Sequence, residues 1–172
     1  MQNIEVKVRC HDLDAARAAV DRIGAHRSGL LRQTDTFFCV PDGRLKLRRC
    51  EGQPPVLIGY QRDDRPGARR STYQMLELTD KQADALEEVL SLVTRPWAIV
   101  TKKRQLHLWQ NVRIHLDRVD GLGDFVELEI VGEADEARGG ELAGRLLREL
   151  GLRDEDRVAV AYADLIAEEA KA

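Results

Sequence analysis

The sequence predicts an α+β fold in which about eight short antiparallel strands are separated and flanked by helices. Short segments alternate apolar and polar residues with the period of two that is typical of strands. Turn residues containing Gly or Pro join neighbouring segments, which favours antiparallel hairpins. With 172 residues, 43% of them hydrophobic and 33% charged, the chain suits a soluble globular domain. We therefore expect a single domain over residues 1–172, with a strand core over about 2–131 and helices over about 135–170.

The opening residues predict a strand followed by a helix. Residues 4–10 alternate apolar and charged side chains, so the strand has one apolar face and one charged face. The helix begins at Asp12, which can cap it, and ends at Gly24, because apolar residues recur between them at helical spacing. We expect this helix to cover the sheet.

The same patterns predict the remaining elements. The further predicted strands are 35–40, 44–50, 56–62, 70–78, 98–104, 106–109, 112–116 and 125–131. Polar turns at 41–43 and 63–67 separate two pairs of them. Thr79 and Gln82 form a capping box at the start of a second helix, a third helix stops at Gly151, and Tyr162–Glu169 forms a shorter one.

Charged side chains of both signs recur on one face of many of these strands. They are Lys7, Lys46, Arg48, Lys102, Arg104, Arg113, Glu5, Asp117, Glu127 and Glu129. On a single strand, such a face is typical of the solvated outer side of a sandwich. Repetition on many strands favours a barrel that gathers these side chains in one cavity. A triphosphate would need the cations, and a divalent metal ion would need the carboxylates.

Bulk composition argues against several classes of partner. The 27 Lys and Arg nearly balance the 30 Asp and Glu, so no positive excess indicates nucleic acid or an anionic membrane. The three cysteines lack metal-ligand spacing, and no apolar run approaches the roughly 20 residues of a membrane-spanning helix. We expect a cytoplasmic protein that binds neither nucleic acid nor membrane.

Several motifs in the chain occur in a characteristic order. They are Asn3-Ile4-Glu5-Val6-Lys7, Asp35-Thr36-Phe37-Phe38, Gly43-Arg44-Leu45-Lys46-Leu47-Arg48, Lys102-x-Arg104, Arg113-Ile114-His115-Leu116-Asp117 and Gly121-Leu122-Gly123-Asp124-Phe125-Val126-Glu127-Leu128-Glu129. Together they resemble the CYTH proteins, also called triphosphate tunnel metalloenzymes, and within them class IV adenylate cyclases. One position differs, because Asn3 stands where the family has its first glutamate.

The resemblance implies a closed eight-stranded antiparallel β-barrel that binds a triphosphate with Mg²⁺ or Mn²⁺. By resemblance, Glu5, Glu127 and Glu129 would bind the metal ion. The implied triphosphate-binding residues are Lys7, Lys46, Arg48, Arg62, Lys102, Arg104 and Arg113. The implied catalytic residues are Lys7, Arg104 and Asp117. Relatives in the cyclase group also suggest a homodimer.

Three functions are compatible with these residues. The first is conversion of ATP to cyclic AMP and pyrophosphate. The second is metal-dependent hydrolysis of an inorganic or organic triphosphate, including thiamine triphosphate. The third is binding of a triphosphate or polyphosphate without turnover, which is favoured by the uncharged Asn3 and by Gln61, at a position where many relatives have a basic residue. Fold alone does not choose among them.

Overall fold

Eight antiparallel strands and four helices make up the computed structural model, which describes residues 2–62, 68–133 and 135–170. The strands are β1 Gln2–Arg9, β2 His26–Phe38, β3 Arg44–Cys50, β4 Gln53–Arg62, β5 Arg69–Glu77, β6 Pro96–Trp109, β7 Val112–Val119 and β8 Gly123–Val131. The helices are α1 Leu13–Arg22, α2 Asp80–Val93, α3 Glu136–Glu149 and α4 Tyr162–Glu169.

The strands close into a barrel in the order β1-β5-β4-β3-β2-β6-β7-β8, and β8 pairs with β1. All pairings are antiparallel. The predicted closed eight-stranded barrel is confirmed, and the sandwich alternative is wrong. Because side chains alternate between the two faces of each strand, one complete face of the sheet surrounds a single interior space.

Several predicted strand boundaries differ from the structure by a few residues, and two predictions differ substantially. Strand β2 begins at His26 rather than at residue 35, because its first half carries polar residues and lacks an apolar alternation that could be recognised. Strand β6 is continuous where two strands were predicted, because Gln105 pairs with β2 and β7 and does not form a turn. The turn predicted at 63–67 lies outside the described residues.

The apolar core lies on the outer face of the barrel. Ile4, Val6 and Val8 of β1 are fully buried there, in a cluster formed with β7, β8, α1 and α3. Gly139 of α3 lets this helix approach closely, since a Cβ atom there would lie 2.8 Å from Ile4 Cγ1. Helices that cover the outer face supply hydrophobic burial, so the interior is left for charged side chains. In the described ranges, no helix is long and apolar enough to cross a membrane.

The segment leading into α4 lies across one end of the barrel. The backbone N–H of Val158 donates to the Lys7 carbonyl oxygen at 2.9 Å, and Lys7 Nζ donates to the Val160 carbonyl oxygen at 3.3 Å. Helix α4 is attached to strand β3, where Arg44 Nη2 pairs with Asp164 Oδ2 at 2.8 Å. The Tyr162 ring packs edge-on against Phe125 with ring centroids 4.9 Å apart. This segment therefore covers one end of the interior.

Candidate functional site

The interior of the barrel contains a cavity of about 410 Å³ lined by charged side chains. Nine of the predicted site residues line it: Glu5, Lys7, Lys46, Arg48, Lys102, Arg104, Arg113, Glu127 and Glu129. They come from five strands, β1, β3, β6, β7 and β8, which the closed barrel brings around one space. Asp117 lies behind the wall, and the side chain of Arg62 is outside the described part of the chain.

Asp35, which the sequence analysis did not select as a site residue, holds three of the cations. Its carboxylate is 2% exposed and accepts from Lys46 Nζ and Lys102 Nζ, each at 3.1 Å. Arg48 binds it through two nitrogens, at 2.7 and 2.8 Å. Burial alone would raise the pKa of Asp35, but Arg48, Lys102 and Lys46 outweigh it and hold that pKa well below its usual range. Asp35 therefore fixes these cations as a group.

The cations around Asp35 are short of negative charge. Burial and the repulsion of Arg48 lower the pKa of Lys46 to about 7, although Asp35 opposes this shift. Burial likewise lowers the pKa of Lys102. Because one carboxylate faces three cations, an added anion would stabilise the charged ammonium groups.

A second buried cluster fixes Arg104. Its Nε and Nη2 donate to the two Asp117 oxygens at 2.7 and 2.5 Å, and Asp117 is fully buried. The Tyr162 hydroxyl donates to Asp117 Oδ2 at 2.9 Å. Burial would raise the pKa of Asp117, but Arg104 lowers it overall. Asp117 touches Arg104 and not the cavity, and these contacts support a positioning role, whereas its predicted catalytic role stays a prediction.

The three predicted metal ligands face the cavity on adjacent strands. Glu5 of β1 is directly opposite Glu129 of β8, and Glu127 is two residues away on the same inner face. Cations contact all three carboxylates: Arg69 lies 3.4 Å from Glu5, Arg104 lies 3.7 Å from Glu127, and Arg113 lies 3.4 Å from Glu129. In this arrangement, no three acidic, His or Cys side chains of the described residues converge on one metal position.

Asn3 lies beside these carboxylates. Its Nδ2 donates to Glu129 Oε1, while its buried Oδ1 has no hydrogen-bond partner in the described part of the chain. Carboxylate and amide oxygens are ligands that Mg²⁺ and Mn²⁺ accept. The donor chemistry therefore fits a divalent cation, and Glu5, Glu127 and Glu129 as its ligands stay a prediction.

Two further residues shape the site and were not selected from the sequence. Arg69 is 1% exposed and donates to the Val158 carbonyl oxygen at 3.3 Å and to the Ala159 carbonyl oxygen, which attaches the C-terminal segment to the barrel. Tyr162 lines the cavity, with Lys7 Nζ 4.0 Å from its ring centroid. The predicted strand 70–78 started one residue too late to include Arg69, and extending its inner face by that residue is the only sequence signal for Arg69.

The structure also places His115 and Gln61, which the sequence analysis named without including them among the predicted site residues. His115, which belongs to one of the motifs, lies inside the cavity with its Nδ1 3.4 Å from Glu127 Oε1. Gln61 is exposed and donates to Asp42 Oδ2 at 2.8 Å on the outside of the barrel. Gln61 therefore takes no part in the cavity lining.

Comparisons with known proteins agree with the fold and with the order of the motifs. The CYTH domain family model matches residues 1–162. The PH1012 protein of Pyrococcus horikoshii is 25% identical, with a TM-score of 0.86 over 95% of this chain and 98% of its own. A proposed adenylate cyclase of Vibrio parahaemolyticus is 22% identical, with a TM-score of 0.75 over 96% of this chain and 97% of its own, which shows the fold alone. No curated protein matches the chain. A model match over nearly the whole chain, together with the closed barrel and its charged interior, shows that this protein belongs to the CYTH domain family.

Proposed function

We propose that this CYTH protein binds ATP in its tunnel and converts it to cyclic AMP and pyrophosphate. The observation that carries the proposal is the polarity of the tunnel along its axis. The covered end holds the most buried cations, with the Lys7 and Lys102 side chains 3% and 2% exposed. The other end is open, and the Arg113 side chain is 44% exposed there. A triphosphate with an organic group would enter with its phosphate chain first.

The cations are suited to hold the phosphate chain. Among the described residues, six Lys and Arg side chains but only four carboxylates line the cavity. Lys46, Arg48 and Lys102 form one group around Asp35, and Arg104 is fixed by Asp117. Cations that are already held in place stabilise developing phosphate charge without reorganising during the reaction.

A divalent ion bound with the triphosphate would neutralise part of the phosphate charge, and Glu5, Glu127 and Glu129 would hold it. In the structure these carboxylates contact Arg69, Arg104 and Arg113. The phosphates can take over Arg104 and Arg113, which line the cavity, and this exchange would release Glu127 and Glu129. We therefore propose that metal ion and triphosphate bind together.

The covered end supports attack at the α-phosphorus. In-line hydrolysis of the terminal phosphate requires water on the far side of that group, where Tyr162 and the segment 158–161 lie. Attack at the α-phosphorus by the ribose 3′-hydroxyl takes place nearer the open end. The new O–P bond forms as the bond to the β-phosphate oxygen breaks, and pyrophosphate leaves with that electron pair. The hydroxyl proton is released at the open end, where water can accept it.

Product analysis tests this proposal. The protein is incubated with ATP and Mn²⁺ or Mg²⁺, and the products are separated and identified. Cyclic AMP and pyrophosphate in equal amounts are expected, and Arg104→Met should abolish both. If ATP yields no cyclic AMP, and orthophosphate is released from ATP, tripolyphosphate or thiamine triphosphate, the protein is a triphosphatase. That result would overturn the cyclase proposal.

Asn3 favours a second candidate function, which is binding of a triphosphate without turnover. Its amide brings no negative charge to the metal ligands, so the bound ion would be held less firmly. Calorimetry with ATP and tripolyphosphate, with and without Mn²⁺, tests this function. Tight binding without any product would support it, and absence of binding under all conditions would exclude it.

A further inference from the structure

The open end of the tunnel differs chemically from its base. Four apolar side chains line the cavity there: Leu31, Ile58, Met75 and Leu106. Leu31 and Leu106 are on the neighbouring strands β2 and β6, and Ile58 is paired with Met75 on β4 and β5. Strand β3 separates the two pairs on one side of the barrel, so they belong to different walls. We call these four residues the apolar mouth.

The apolar mouth continues directly into the cation cluster. Along the inner face of β2, Leu31 is followed by Gln33, Asp35 and Phe37 towards the covered end. Along β6, Leu106 is followed in the same direction by Arg104 and Lys102. One continuous cavity therefore has a charged base and an entrance that is apolar on β2, β6, β4 and β5. Its volume of about 410 Å³ falls within the roughly 300 to 1,000 Å³ of cavities that hold drug-sized organic molecules.

An unpaired amide oxygen marks the boundary between the two parts. Gln33 is 5% exposed and lines the cavity, and its Oε1 has no hydrogen-bond partner within the residues described. Buried acceptors without a partner are rare, so Gln33 Oε1 is suited to accept from a donor that enters the cavity. A ligand that reaches from the cations to the mouth passes Gln33 and can supply this donor.

We propose that the apolar mouth selects triphosphates that carry an aromatic base, and that Gln33 accepts a hydrogen bond from an amino group on that base. This inference rests on the proposed function, since it places the organic group of the same substrate. The two apolar walls would contact the faces of the ring, and the phosphate chain would lie among the cations below. The mouth therefore adds affinity for such a triphosphate and none for inorganic tripolyphosphate, which has no group to bury there.

Calorimetry with the full chain in EDTA tests the selection in the absence of metal-dependent turnover. The ligands are ATP, purine riboside 5′-triphosphate, which lacks the amino group, and inorganic tripolyphosphate. Charge alone would favour tripolyphosphate, so a preference for ATP must come from the organic group. We expect ATP to bind about tenfold more tightly than tripolyphosphate, and purine riboside triphosphate to fall between them.

Variants assign the preference to the residues named. Leu106→Ser should reduce the affinity for ATP and leave that for tripolyphosphate unchanged, which also reports an intact cation site. Ile99→Ser is the matched control, because Ile99 is on the same strand, is 57% exposed and does not line the cavity. Gln33→Leu should abolish the difference between ATP and purine riboside triphosphate.

The outcomes separate this inference from the proposed function. Equal affinity for ATP and tripolyphosphate, or an unchanged ATP preference in Leu106→Ser, would overturn the apolar mouth while leaving a triphosphate site intact. No binding of any of the three ligands, either in EDTA or with Mn²⁺, would overturn the proposed function as well.

Discussion

Replacing Asp35 by Asn should destabilise the free protein strongly. The change keeps the shape of the side chain but removes the one negative charge that contacts Lys46, Arg48 and Lys102 at 2.7 to 3.1 Å. Removing one partner of a buried ion pair costs about 3 to 5 kcal/mol, because the other charge stays buried without compensation. For a domain of this size, that corresponds to a fall in melting temperature of about 6 to 20 °C.

The destabilisation caused by Asp35→Asn should depend on pH. Without Asp35, the folded-state pKa of Lys46 falls further below about 7, while the unfolded value stays near 10.5. The unfolded variant then binds more protons than the folded variant below pH 7, so its stability rises with pH there. The destabilisation relative to wild type should therefore be larger at pH 6 than at pH 8. Thermal melts followed by circular dichroism at both values measure it.

Added anion gives the decisive arm of this experiment. Tripolyphosphate supplies the missing negative charge, so it should raise the melting temperature of Asp35→Asn more than that of wild type. Asp124→Asn is the control, because it breaks an Arg118 pair of similar geometry on the outside, at 2.8 and 2.9 Å, and should respond little in either condition. A variant that melts like wild type, or that gains nothing extra from tripolyphosphate, would refute the role given to Asp35.

Three further predictions follow from the site. The pKa of Lys46 is lowered to about 7, and a bound anion raises it, so tripolyphosphate binding at pH 8 should take up about one proton. Calorimetry in buffers of different ionisation enthalpy measures this uptake, and Lys46→Met should abolish it. Tyr162→Phe removes the donor to Asp117 but keeps the ring over Lys7, and should cost about 1 to 3 kcal/mol in chemical denaturation. Asn3→Glu should tighten Mn²⁺ binding in the presence of ATP, whereas Asn3→Gln should not; equal affinities in the two variants would contradict the placement of Asn3 at the metal site.

The sequence was sufficient to predict which charged side chains line the interior, but not which of them form ion pairs with one another. Alternation along each strand identified which side chains share a face, and closure of the sheet brings those faces together. Partner choice depends on register between strands that are distant in sequence. Asp35 meets Lys102 across 67 residues, and no local pattern contains that information. This is why Asp35 was noticed as part of a motif and not as the centre of a cluster.

The covered end was beyond sequence reasoning for a related reason. A short helix at Tyr162–Glu169 was predicted correctly, but its amphipathic pattern does not specify where it packs. Its position depends on contacts that Arg69 and Lys7 make with backbone carbonyl oxygens of 158–160, and such acceptors are the same for every residue type. The polarity of the tunnel, on which the proposed function rests, therefore became visible only with the fold.

The apolar core on the outer face of the barrel explains how the interior can hold so many charged side chains. Burying an ion pair gives little net stability, since desolvation roughly cancels the attraction between the charges. The folding free energy must therefore come from elsewhere, and the apolar cluster between the outer face of the barrel and α1 and α3 supplies it. Because stability does not depend on filling the interior with apolar side chains, the inner residues are free to stay short of negative charge. Burial and the repulsion of Arg48 lower the pKa of Lys46 to about 7. An anionic ligand among these cations therefore gains binding free energy from charges that the fold has already placed.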